Sequence, residues 1–412
     1  MVLESLYLEK MECKQFLKKL LEVQSLGDVR CYFVGGCVRD RLTDHVPFDY
    51  DLAVDGDLMR LLKALQGSYD LNPSILGTSK IRFGHYQVDL ATFRRERYVK
   101  GNGLPEIEAG DIDSDLYRRD FTINTGYVQL TLDNLEKMFS NDAGASFECA
   151  YAHPKFHEDI ENGILRVLNE QSFKDDPSRL LRAVKYSTLY HLKMEDATRI
   201  LFEEAVSRNV LDTYSKDRYR QIILGYAKHV KGIQILVNLF NTDLLLEMET
   251  SDSVRIHQYA ERLRTSVDGC LFLLLIYETR LDFWFGADRT LSEPAKACKA
   301  FKAIVMETPE VQWLSRWWCF LTFRLLDQST LSFIRFAVSI PEFVKLALRI
   351  YIDETQFIRL NINGHTLKAL GVTSGKSIGD LLNLLLAYKV NTGCNMTPEE
   401  EIKWIESKRY EY

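Results

Sequence analysis

No long hydrophobic run is present in the 412 residues. The longest uninterrupted apolar stretch, Cys270 to Tyr277, falls far short of the ~20 residues a membrane-spanning helix needs, so no membrane partner is expected. Acidic residues recur through the first 25 positions, which leaves no apolar core for a secretory leader. The eight cysteines (Cys13, Cys31, Cys37, Cys149, Cys270, Cys298, Cys319 and Cys394) are scattered without a Cys-x-x-Cys pair. That argues against a zinc framework and fits reduced thiols in a cytoplasmic protein. Histidine is scarce, eight in all, too few for the His/Asp clusters of a metal-dependent phosphohydrolase. Positive charge is not in excess: 52 Lys+Arg stand against 58 Asp+Glu, a net −6, which argues against an indiscriminate nucleic-acid binder. Internal repeats and low-complexity tracts are missing as well.

What is present is an ordinary globular composition, 46% hydrophobic and 27% charged, long enough for roughly two to four domains. Apolar spacing predicts an amphipathic helix from about Ser5 to Val23, with Leu6, Phe16, Leu17 and Leu20 on one side. Strands are predicted at Arg30–Val34, Phe48–Val54, Ile81–Phe83 and Tyr86–Phe93, with a helix starting at Cys37. Arg94 to Leu116 has no clean period and reads as a mobile loop. Beyond Arg118 the pattern turns helical, and from Asp175 onward nearly every segment is Leu-rich at helical spacing. Strands first and helices after imply an α+β chain. It divides into a mixed-sheet head over 1–150 and helical segments over 151–214, 215–290 and 291–412. Trp313, Trp317, Trp318 and Phe320 fall at near-helical spacing and read as core. His153 and His157, separated by Pro154 and lacking a third ligand cluster, read as a solvated loop rather than a metal site.

The chemistry concentrates in two short segments. Asp49 and Asp51 are two apart on a predicted strand, so alternation places both carboxylates on one face. Such a pair repels itself, and a divalent cation relieves the repulsion. Ten residues earlier, Gly35-Gly36-Cys37-Val38-Arg39-Asp40 sets a glycine turn between a strand and a helix. Glycines allow a phosphate to approach the backbone, the helix start supplies N–H donors, and Arg39 is placed to clamp a triphosphate. A phosphate cradle beside an acid pair is what nucleotidyl transfer requires. Asp89, on a neighbouring predicted strand, is equally readable as a third acid, a partner of the first two, or an exposed residue.

These segments, Val34-Gly-Gly-Cys-Val-Arg-Asp40 and Phe48-Asp-Tyr-Asp-Leu-Ala-Val-Asp-Gly-Asp57, resemble the signature of the class II tRNA nucleotidyltransferases (CCA-adding enzymes) and the related bacterial poly(A) polymerases. Both groups belong to the DNA polymerase β superfamily. Leu116-Tyr-Arg-Arg-Asp-Phe-Thr-Ile-Asn124 resembles the family's second motif, Lys174-Asp-Asp-Pro-Ser-Arg-Leu-Leu-Arg182 its base-reading motif, and Ser215 to Gln221 a downstream bracing motif. Leu360-Asn-Ile-Asn-Gly364 through Gly379 is similar to the family's tail. The resemblance implies a polymerase-β-like head, a helical neck that reads the nucleotide base, a body and a tRNA-binding tail. It also implies template-independent addition of CMP and AMP from CTP and ATP to the 3′ acceptor end of tRNA, with Mg2+ held by Asp49 and Asp51 and with no DNA partner. Gly35, Gly36, Arg39, Arg119, Asp120 and Asn124 would then meet the triphosphate and sugar. Asp176 and Arg179, three apart on a helix face, would pair with the amino group and ring nitrogen of cytosine or adenine, and Arg182 would add charge toward phosphate.

The same chemistry leaves open CC addition alone, A addition alone, or poly(A) synthesis; a non-catalytic RNA-binding protein is a more distant reading. Departures from the family pattern are Asp175 for Glu, Lys185 for Arg, Thr125-Gly126 after the second motif, and His153 to Asp159 where the family carries glycines. Net charge is uneven along the chain. Gln171 to Gly232 carries twelve Lys+Arg against eight Asp+Glu, so a local cationic stripe coexists with the acidic total.

Overall fold

The computed structural model describes residues 2–25, 28–65, 69, 78–98, 105–140, 147–263, 269–277, 289–337, 339–372 and 375–408. By contact they form two compact units, Met1–Tyr219 with Asn238–Leu246, and Arg220–Val237 with Glu247–Tyr412. The first unit opens with α1 (Val2–Gln24), whose Phe16, Leu17 and Leu20 are fully buried as its apolar stripe requires. β1 (Arg30–Val34) leads into α2 (Gly36–Leu42), then β2 (Asp49–Asp55), α3 (Leu58–Leu65), β3 (Thr78–Phe83) and β4 (Tyr86–Thr92). β5 (Arg94–Tyr98), β6 (Pro105–Ala109), α4 (Ile112–Tyr117), β7 (Tyr127–Gln129) and α5 (Leu132–Phe139) follow. The main sheet has the order β3-β4-β2-β1-β7, with β2 and β4 parallel and the other neighbours antiparallel.

Alternation on β2 sorts its residues cleanly. Tyr50, Leu52 and Val54 enter the main apolar core with side chains of α1, α3 and α5. Asp49, Asp51 and Ala53 face the other way, and Ala53 joins a smaller cluster of Tyr32, Val34, Phe93, Leu116 and Tyr127. The mixed sheet expected of the head is therefore present, and its second face is the one left open for chemistry.

Two stretches differ from the sequence reading. Arg94 to Leu116 is not a featureless loop: β5 pairs with β6 in an antiparallel ladder, and α4 follows with Asp111 capping its first turn; residues 99–104 lie outside the described residues. The hairpin carries no apolar face, so hydrophobic alternation cannot reveal it. Its register instead sets Arg95 opposite Glu108 and Arg97 opposite Glu106, cross-strand pairs that favour the ladder through charge. β7 was equally invisible, because three buried residues are too few to show a period.

Below the sheet come α6 (Phe156–Glu161), α7 (Ser172–Asp175) and α8 (Ser178–Tyr190). α8 buries Leu180, Leu181, Ala183, Val184 and Leu189. The second unit contains no strand among its described residues. Trp313 and Phe320 are core there, as their spacing predicts, while Trp317 and Trp318 are half-buried. The tail-like segment has a physical reason for its pattern: Asn363 caps the helix Gly364–Ala369, and buried Glu401 accepts from the Asn361 and Ile362 amides and pairs with buried Lys389. No helix among the described residues is long and apolar enough to cross a membrane.

The segment His153 to Asp159 that breaks the family pattern is anchored by two buried side chains, Phe156 and Asp159. Phe156 is fully buried, and a Cβ added to Gly126 would lie 2.5 Å from Phe156 Cζ. The glycine after the second motif and the phenylalanine in the unusual segment thus occupy one shared space. Gly126→Ala is expected to cost about 1–3 kcal/mol by overpacking, read as a lower urea midpoint at unchanged m value. An unshifted midpoint would show that Phe156 has room to move.

Candidate active site

The acid pair lies on the open face of β2, both residues exposed. Asp89 on β4 is directly in register with Asp51, and Lys80 on β3 pairs with Asp89 at 3.0 Å. One carboxylate oxygen of Asp89, Oδ1, is buried without a hydrogen-bond partner. Asp51 reaches solvent from within a cleft. The resulting loss of hydration, followed by the neighbouring Asp89 charge, pushes its carboxyl up to about 6, while Arg119 opposes the shift. Asp49 is raised for the same two reasons. Two same-face carboxylates raised by burial and by the Asp89 charge, with an orphaned Asp89 oxygen one strand away, fit a divalent cation. No three His, Cys, Asp or Glu side chains form a closed metal cage among the described residues. An open donor set suits Mg2+, which keeps several waters and phosphate oxygens in its shell.

At the glycine turn the geometry departs from a simple phosphate cradle. Gly35 has φ 67°, and a Cβ there would lie 2.8 Å from Arg119 Nη1. Its glycine is needed both for the left-handed backbone and for close packing of that guanidinium. Arg39 is not free to clamp a triphosphate. It is buried, its Nη1 donates to Asn124 Oδ1, its Nε and Nη2 to Asp40, and its guanidinium packs against the rings of both Tyr186 and Tyr190, 4.6 and 4.5 Å from their centroids. The residue braces the turn from behind.

The second motif supplies the cations. Arg118 donates to Asp115 and Glu96, and Arg119 to Asp115, the Tyr127 hydroxyl and the Asn124 carbonyl. Asp115 is nearly inaccessible; burial works to raise its carboxyl, but the two guanidiniums and the Tyr127 hydroxyl hold it below the usual range. Sequence reasoning missed Asp115, although its positions three and four before the two arginines are the helical ion-pair spacing. Glu96 and Arg94, on the unrecognised hairpin, were missed with it.

The third motif joins this network. Asp120 accepts from Asn124 Nδ2 at 2.8 Å and Arg182 Nε at 2.8 Å, and Arg182 Nη2 reaches Asp176 at 2.9 Å. Burial would raise both carboxyls, yet Arg182 keeps Asp120 and Asp176 lowered. Asp176 does not share a helical face with Arg179. It precedes α8 and accepts from the Ser178 amide and hydroxyl. Arg179 is turned inward to Ser172 and the Arg118 carbonyl, with Nε 3.9 Å from Asp176 and without a hydrogen bond. Lys185 is depressed by burial and by Arg39, and the charges of Asp40 and Asp49 partly restore it.

Two cavities border these groups. One, about 300 Å3, is lined by Gly35, Gly36, Asp51, Arg119, Asp176 and Arg182 among others; the second, about 390 Å3, lies along the sheet face past Asp51 and Asp89. Asp51, Arg94, Arg118 and Arg119 line both. Residues 31–143 match the poly A polymerase head domain. The CCA-adding enzyme of Lactobacillus helveticus is 24% identical over 95% of this chain and 97% of its own. The chain is thus similar to the poly A polymerase head domain over 31–143 and to a CCA-adding enzyme along nearly its whole length.

Other curated proteins are similar over shorter spans. The A-adding tRNA nucleotidyltransferase of Aquifex aeolicus is 27% identical over 62% of this chain and 32% of its own, and that of Halalkalibacterium halodurans 30% identical over 50% and 46%. The chain thus spans a third to a half of the length of these curated relatives. The Thermotoga maritima CCA-adding enzyme complexed with tRNA has the same fold, at a TM-score of 0.64 and 20% identity over 96% of this chain and 95% of that one. A CCA-adding enzyme with CTP superposes at a TM-score of 0.62 and 21% identity over 97% and 94%. His153 accepts from the Lys155 amide and packs on Tyr117, and His157 is exposed.

Without metal, the raised Asp51 carboxyl makes its ionised form unfavourable in the fold. Its stabilising contribution is full below the ordinary value of 3.8 and lost as pH rises through about 6. In chelator, Asp51→Asn is therefore expected to melt above wild type at neutral pH, with the gap closing as pH falls below 3.8. Identical melting at neutral pH would contradict the repulsion.

Proposed function

We propose that the protein adds CMP and AMP from CTP and ATP to the 3′ end of tRNA, without a template, in the cytoplasm. The observation that carries this reading is the meeting of two cavities at Asp51: a polar one bordered by Asp120, Asp176 and Arg182, and one along the sheet face. The first suits a nucleoside triphosphate and the second the end of an RNA strand. In the transfer, the RNA 3′ hydroxyl gives up its proton to water, its oxygen forms a bond to the α-phosphorus, the bond from that phosphorus to the α–β bridging oxygen breaks, and pyrophosphate leaves with the electron pair.

Asp49 and Asp51 would hold Mg2+, which when bound activates the attacking hydroxyl and neutralises the leaving pyrophosphate. Arg119, packed against Gly35 and lining both cavities, brings positive charge to the triphosphate while bonded to Asp115, and Arg39 positions Asn124. Asp120 and Asn124, bonded to each other, face the sugar. Asp176 and the unbonded Nε of Arg179 are the acceptor and donor that cytosine and adenine edges require and that uracil and guanine mismatch. Arg182 holds Asp176 in place. The tRNA body would rest on the helical half, a division into head, neck, body and tail that follows the family.

A second reading, addition of the terminal A alone, is favoured by the A-adding relatives. Offering tRNA that ends before CCA, after CC, and complete, each with labelled CTP, ATP or both and Mg2+, separates the possibilities. The expected result is extension of the first by CCA and of the second by A. Extension of the CC-ended substrate only would select the second reading, long A tails would select poly(A) synthesis, and no extension would overturn both transfer readings. Asp49→Asn and Asp51→Asn are expected to slow transfer at least about a thousandfold while tRNA binding persists.

A further inference from the structure

The second unit holds a cavity of its own, about 300 Å3. Its floor is aromatic: Phe320 and Tyr351 are both buried, with ring centroids 6.3 Å apart. Ile358 and Leu386 add apolar wall, and Arg324 and Arg359 complete the lining with two exposed cations. The Arg324 guanidinium stands 5.3 Å from the Phe320 centroid, and Arg359 Nη1 donates to the carbonyls of Gln356 and Ile358 at 2.7 and 2.8 Å. Neither arginine is paired with a carboxylate among the described residues. Tyr351 begins a π-helical turn, Tyr351–Thr355, a local distortion that concentrates at functional sites. Burial raises the Tyr351 hydroxyl and the two arginines partly offset it, so both cations bear on the same pocket.

Aromatic floor and uncompensated guanidiniums ask for different parts of one ligand. A flat ring satisfies Phe320 and Tyr351, and a phosphate satisfies the arginine forks. A purely acidic peptide leaves the floor unused, and an apolar segment leaves two cations facing it. We propose that this cavity binds one nucleotide unit, its base packed against Phe320 and Tyr351 and its phosphate held by Arg324 and Arg359. The unit is either an unpaired nucleotide of an RNA chain or a free nucleoside monophosphate. The inference uses none of the residues around Asp51 and stands independently of nucleotidyl transfer.

The test uses the full chain in chelator, which silences metal-dependent binding at the acid pair. UMP, AMP, a short oligouridylate and a tRNA transcript serve as probes, read by calorimetry or filter binding and by ultraviolet cross-linking with peptide mapping. Two variants probe the site in different ways: Arg324→Ala/Arg359→Ala removes the exposed cations, and Leu386→Trp fills the space while keeping them. Cross-links on Phe320 or Tyr351, with about tenfold weaker binding in both variants, are expected. Binding of the RNA probes alone identifies the chain-borne nucleotide, and comparable binding of UMP or AMP the free one. Absence of cross-links at this cavity, together with unchanged affinity of both variants for every probe, overturns the proposal even if the protein extends tRNA.

Discussion

The bond between Asp120 and Arg182 ties the turn after α4 to α8, and much of the first unit is arranged to make it affordable. A carboxylate and a guanidinium taken out of water stabilise a fold only when their remaining lone pairs and protons are also met. Asp120 is therefore supported by Asn124 and the Phe121 amide, and Arg182 by Asp176 and the Ser178 hydroxyl. Asn124 in turn accepts from Arg39, which is seated against Asp40, Tyr186 and Tyr190. From the glycine turn to the start of α8, charges separated by well over a hundred residues of sequence form one hydrogen-bonded lattice.

That lattice explains which parts of the protein could be read in advance. β2, β4 and α1 carry regular apolar periods and β1 a short apolar run, all consequences of burial, so the core was legible. The same-face placement of Asp49 and Asp51 follows from strand alternation alone. Arg39 was misjudged because a sequence shows a cation near a glycine turn but not the two tyrosines, Tyr186 and Tyr190, that arrive from α8 to enclose it. Arg179 and Asp176 were expected on one helical face for a similar reason: Pro177 and Ser178 begin the helix after Asp176, which turns the acid into a capping group. The β5–β6 hairpin was lost because its residues are mostly charged and carry no hydrophobic alternation, although its register sets arginines opposite glutamates.

Function enters through what the lattice leaves unsatisfied. Most polar groups around the cavities are bonded two or three times over, yet Asp89 Oδ1 and Arg179 Nε have no partner, and Asp51 is ionised only with difficulty. On the proposed reading those are the places where metal, RNA and base complete the site. The acidic total charge is compatible with an RNA substrate for the same reason: many of the acids are internal partners of arginines rather than a field facing solvent.

The most direct test concerns base choice. Asp120→Asn alters no group proposed to touch the base, but weakens the hold on Arg182 and hence on Asp176. Single-turnover incorporation of CTP, ATP, UTP and GTP should show discrimination against UTP and GTP falling about tenfold or more, by the amount one bidentate base contact contributes. If Asp120→Asn slows all four nucleotides equally and leaves their ratios unchanged, the lattice supports the fold without setting the base-reading geometry, and the central claim is wrong.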